Sequence, residues 1–160
     1  MSDAPLPSPT EYNDFLKGID ILGIRMTKGS FESKGPAAPR DGTTVDIAVN
    51  SRFVNHEGKF DGIAEFEVRF KSEQGEDTAG TISARYVVTY STAKPMTDEI
   101  WRIFAERNLR MNLWPYLREF IESATVRMAW PRLVLPAMNS ARTRRPPEDA
   151  RESTSGGRSV

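Results

Sequence analysis

His56 is the only histidine of the chain, set in the polar run NHEGK. Histidine titrates nearest to neutral pH, which suits it to proton transfer or metal ligation. Either task needs a second group, and no ligand or nucleophile stands near it in sequence, so His56 reads as a surface residue. The acids Glu73, Glu76 and Asp77 in EQGED form a loose candidate metal loop. They lack calcium-loop spacing and its terminal glutamate, which leaves a solvated turn. With no cysteine in the chain, disulfides, thiolate nucleophiles and zinc–thiolate sites are all excluded. No GxxxxGK[ST] and no GxGxxG is present to cradle a phosphate. These absences point away from an enzyme and from any metal or cofactor.

What the chain offers instead is apolar surface, concentrated between Asn112 and Asn139 in NLWPYLREFIESATVRMAWPRLVLPAMN. The spacing predicts a helix opening near Asn112, with Pro115 in its first turn, where a missing N–H costs nothing. Trp130-Pro131 is expected to close it, because a residue before proline avoids helical geometry. With residues 100° apart, Leu113, Tyr116, Leu117, Phe120, Ile121, Ala124 and Met128 share an arc of about 160°, wider than the roughly 100° that faces one core. The surplus needs a second partner, another chain or a copy of this one, which makes these seven the candidate oligomer interface. Arg127 falls inside the arc, where an unpaired guanidinium is costly, so an ion pair at a partly buried position is expected.

Upstream the period is two. Val45, Ile47, Val49, Ser51 and Phe53 alternate with Asp46, Asn50 and Arg52 over Thr44 to Val54. Ala64, Phe66, Val68 and Phe70 alternate with Glu65, Glu67, Arg69 and Lys71. Ile82, Ala84, Tyr86, Val88 and Tyr90 face away from Ser83, Arg85 and Thr89. Strict alternation predicts antiparallel strands with one face buried and one wet. An earlier run, Ile19 to Lys28, is apolar on both sides and reads as a first strand. The stretch SFESKGPAAPRDG is too long and proline-rich for a tight hairpin, so it is expected to cross the sheet or follow its edge. Thr97 is a cap for a helix running to about Arg107. The expected fold is α+β, a four-stranded antiparallel sheet followed by a long helix.

Both ends are polar. Residues 1–11 carry three prolines and are expected to be disordered. Residues 140–160, SARTRRPPEDARESTSGGRSV, hold five arginines, three acids and one aliphatic side chain larger than alanine, too little to offset ordering entropy. That places one domain at 12–139. Twenty-two basic and 22 acidic residues cancel, so no net field recruits nucleic acid. No run approaches the ~18 apolar residues of a membrane span, and the opening MSDAPLPSPTEYNDF lacks the basic and apolar regions of a secretion signal, so a cytoplasmic location is expected. Apolar residues outside regular elements are the remaining functional candidates: Phe31 in the crossover region, and Trp130, Leu133, Leu135 and Met138 after the helix. They either plug the rim of the core or line a groove.

The segment 112–139 resembles the helix and post-helix segment of the SecB family of protein-export chaperones. The matching positions are Trp114, Pro115, Tyr116, Arg118, Glu119, Ile121, Ser123, Arg127, Trp130, Pro131, Leu133, Leu135 and Asn139. ILGIRMTKGSFE is similar to the family's first strand, with Ile21, Ile24 and Ser30-Phe31-Glu32 in register. The resemblance covers about residues 19–139. It implies a homotetramer that binds unfolded polypeptides without ATP, export precursors among them, and passes them to the motor SecA. It also implies client contact by Phe31, Trp130, Leu133, Leu135 and Met138. The family continues into a second amphipathic helix that this chain replaces with its arginine-rich tail. Some relatives guard an antitoxin, a role the residues do not separate from export. A binding or assembly module with a small-ligand pocket between sheet and helix is the other reading.

Overall fold

The computed structural model describes residues 5–34, 43–71 and 78–138, with Thr78 described by its backbone alone. Four strands follow the alternating segments and run longer than expected: β1 (Ile19–Ser33), β2 (Thr44–His56), β3 (Lys59–Lys71) and β4 (Thr78–Thr92). They form one antiparallel sheet in the order β1-β4-β3-β2. Strands β2 and β3 meet through the two-residue loop Glu57-Gly58, where Gly58 takes φ +67°, a conformation that favours glycine. Ser33 pairs with Gly80 and Thr44 with Lys71, so β1 ends and β2 begins on opposite edges at the same end of the sheet. The segment expected to cross over lies largely outside the described residues, as do Glu73, Glu76 and Asp77.

Alternation settles which face is buried. Phe60, Ala64, Phe66, Val68 and Phe70 of β3 share a face with Ile82, Ala84, Tyr86, Val88 and Tyr90 of β4, all buried. Val45, Ile47, Val49 and Phe53 of β2 continue that face half-buried. The opposite face carries charge in pairs: Glu65 with Arg85 (2.8 Å), Glu67 with Arg69 (2.9 Å) and Asp46 with Lys71. A shallow depression on that face is bordered by Lys28, Asn50, Glu65, Ser83 and Arg85.

Two features of the helical layer depart from expectation. First, residues 9–11, expected to be disordered, belong to a helix, α1 (Pro9–Lys17). Ser8 and Glu11 form a reciprocal cap: the Ser8 N–H donates to Glu11 Oε2 (2.8 Å) and the Glu11 N–H to Ser8 Oγ (3.3 Å). Tyr12 and Phe15 are buried, with Phe15 6.4 Å from the Phe60 ring. Second, no helix opens at Asn112. Helix α2 (Asp98–Phe104), capped by Thr97 as expected, runs through a π-helical turn at Ala105–Leu109 into α3 (Arg110–Arg127). Core residues recur every four positions at 105, 109, 113, 117 and 121. A straight α-helix would rotate such a row by about 40° per step. The wider π turn advances less per residue and offsets this rotation in the first step, from Ala105 to Leu109. Pro115 therefore lies inside a helix, on an exposed face beside the exposed Met111, where water can reach a carbonyl left without its N–H partner.

The helix also ends three residues before Trp130. The Ala129 N–H donates to the Val126 carbonyl (3.0 Å) and the Trp130 N–H to that of Thr125 (2.9 Å), with Ala129 at φ 55°. This is a Schellman closure built on alanine in place of the usual glycine.

Candidate functional site

The strands bring His56 against Asp61, across the β2–β3 hairpin, with Nε2 and Oδ2 3.1 Å apart. Thr89 donates its hydroxyl to the other carboxylate oxygen (2.6 Å). Burial pushes the Asp61 carboxyl up, but Thr89 and His56 together hold it below the usual value. The Thr89 hydroxyl is committed to Asp61, so the trio ties the hairpin to β4. Among the described residues, no cluster of three or more histidine or acidic side chains could hold a metal ion. No helix there is long and apolar enough to cross a membrane.

The predicted interface stripe divides. Leu113, Leu117 and Ile121 are 0% exposed and Ala124 is 1% exposed. These four are spent inside the chain, and their assignment to an oligomer contact is corrected: the sheet is broad enough to absorb half of the arc. Full burial of each large side chain is worth roughly 1.5–3 kcal/mol. Tyr116 remains exposed, while Phe120 and Met128 are half-buried. Met111 and Val126 are exposed as well, on other sides of the helix. Arg127 is exposed and makes no ion pair with a described residue, contrary to expectation; it lies in the last helical turn, where a cation complements the carbonyl ends. The cation that pairs here is Arg132, with Glu122.

The five client-contact candidates divide as well. Phe31 is not in a connection: it sits in β1, paired with Ile82 and 40% exposed. Trp130 is buried, its indole 5.1 Å from the Phe70 ring in a T-shaped contact and packed over Gly80. Leu135 is buried too, Leu133 half-buried, and Met138 exposed. Trp130 and Leu135 thus belong to the core, and free contact of these two with a client is corrected. The cause is the path of the chain after Ala129. It turns back along α3, where the Leu133 N–H donates to Thr125 Oγ1 (3.3 Å) and Trp114 Nε1 donates to the Pro136 carbonyl (2.8 Å).

Strand β1 carries apolar surface that the segments outside regular elements do not. By register, Ile21, Met26 and Phe31 stand opposite the buried Tyr90, Tyr86 and Ile82, on the helix side of the sheet, yet each is at least 40% exposed. Phe120 of α3 reaches toward Gly29, where an added Cβ would lie 3.0 Å from its ring, and marks the near wall of this row. Bulges between Ile21 and Gly23 and between Met26 and Lys28 turn the strand locally, and Leu22 is exposed as well. The signal was present in Ile19 to Lys28, apolar on both sides, which a strand half covered by helix would not need.

No family model and no curated protein matches the chain. Among solved structures, it is similar to the Mycobacterium tuberculosis Rv1957 SecB-like chaperone in complex with a ChAD peptide from the Rv1956 HigA1 antitoxin. The TM-score is 0.70 at 20% identity, over 81% of this chain and 97% of that one. A protein of unknown function from Streptococcus agalactiae matches at 9% identity and TM-score 0.44, over 74% and 96%. The likeness to the first is one of fold: this chain has a SecB-like α+β fold.

Proposed function

We propose that the chain is an ATP-independent chaperone that holds extended apolar segments of non-native polypeptides. The observation that supports this most is the row Ile21, Met26 and Phe31: large apolar side chains left in water on an edge strand whose fold is SecB-like. A solitary exposed hydrophobe needs no explanation, but a row on one face marks an interaction surface. Ile21, Met26 and Phe31 would touch the client, while Tyr116, Phe120 and Met128 would join subunits of a tetramer. At ~25 cal/mol per Å², a few hundred Å² of apolar contact yields several kcal/mol before ordering costs, so a single site is weak. Four linked copies raise the effective concentration and hold a long chain firmly. A folded protein offers no extended apolar segment, which confines binding to non-native chains.

Two client classes fit. One is export precursors, delivered to SecA. The other is a dedicated antitoxin, and the fold neighbour bound to an antitoxin peptide supports it at least as well. Replacing Met26 and Phe31 together by lysine should leave the fold intact, since both are exposed, and should weaken capture of an unfolded polypeptide about tenfold, the equivalent of ~1.4 kcal/mol. Undiminished capture by the double variant would sink the assignment.

A further inference from the structure

We infer that residues 131–138 are a built-in competitor for the polypeptide segments this chain binds, seated along α3 where an extended apolar client would otherwise lie. The inference rests on the chaperone reading. The segment PRLVLPAM has no regular secondary structure, and among the described residues no backbone–backbone hydrogen bond holds it. Side chains of α3 hold it instead. Arg132 pairs with Glu122, the Leu133 N–H reaches Thr125, and the Pro136 carbonyl reaches Trp114. Leu135 is buried between those two main-chain contacts, while Val134 and Met138 point to water.

Both hydrogen bonds are to main-chain groups, which every residue's carbonyl and nearly every N–H can supply. The seat thus asks for an extended segment with an apolar side chain to bury and an N–H and a C=O three residues apart. It does not read the tail's sequence beyond that. Thr125 strengthens the case. It is 1% exposed, donates its hydroxyl to the Glu122 carbonyl (2.9 Å), and among the described residues accepts only from Leu133. An empty seat would leave that buried oxygen without its donor, which favours an occupant of the same kind. When the seat is filled in cis, a client's apparent affinity falls by the fraction of molecules in which it is open.

The probe is a labelled peptide of residues 130–138, WPRLVLPAM, added to the full chain. Leu135→Ser loosens the cis segment and leaves the seat unchanged, so it should bind the peptide about tenfold more tightly than the parent chain. A peptide with both leucines replaced by aspartate should bind neither. Unchanged or weaker binding to the variant, or no binding to either chain, overturns the competitor. Should Leu135→Ser fail to fold, hydrogen exchange on the parent chain decides. The Leu133 amide should exchange faster when an unfolded client is bound, and unchanged or slower exchange refutes displacement. A client that binds without loosening Leu133 overturns the competitor alone. A chain that captures no client overturns the chaperone reading.

Discussion

Gly80 shows how tightly single atoms are placed at the far end of the sheet. An added Cβ there would collide with the Trp130 ring and with the Glu32 carbonyl, one a packed indole and the other fixed backbone. Gly80→Ala is therefore expected to destabilise the chain by roughly 1–3 kcal/mol, read from a lowered denaturant midpoint. The core tyrosines make a second test. Burial pushes the hydroxyls of Tyr86 and Tyr90 up to about 12, aided at Tyr86 by the charge of Glu119 and opposed at Tyr90 by the hydrogen bond from Asn112. A folded-state value above the ordinary 10 means that the folded chain holds these protons more tightly. The stability this provides is complete below pH 10 and is lost as pH rises toward 12. Alkaline titration should show the two phenolates appearing together with unfolding. Their reversible appearance near pH 10 with the fold intact would contradict the buried placement.

At the scale of elements, the long helix serves the sheet first and any partner second. Leu117→Ala should cost ~2–5 kcal/mol of chain stability at any protein concentration. Tyr116→Lys, one position away on the outer face, should leave that stability within about 0.5 kcal/mol and shift only the concentration dependence of assembly. Chemical denaturation at several protein concentrations separates the two outcomes. The four strands and their buried faces were legible because alternation depends on nothing but the pleat. The width of the helix stripe was legible too, but periodicity does not say how much of it one sheet will cover. Helix α1 carried a readable signature in Ser8-Pro9-Thr10-Glu11, outweighed by the proline-rich composition around it. The Schellman closure could not be foreseen, since it uses Ala129 where glycine is the usual signal. That closure turns the chain back and buries Trp130 and Leu135, which is why residues that looked free in sequence are not. Phe31 was misplaced for a simpler reason: the last third of β1 does not alternate.

For the whole molecule, one face of the sheet is paired charge, the other is core, and the edge row of β1 is left apolar and open. On the proposed reading, the chain assembles through Tyr116, Phe120 and Met128 and holds other chains at the β1 row, with no nucleotide in the cycle. The most direct measurement is aggregation of a chemically unfolded polypeptide, followed by light scattering without ATP in the presence of this chain. The account predicts that near-stoichiometric amounts suppress the scattering and that the client remains bound in a soluble complex. An aggregation curve unchanged at several-fold excess of the chain would contradict it.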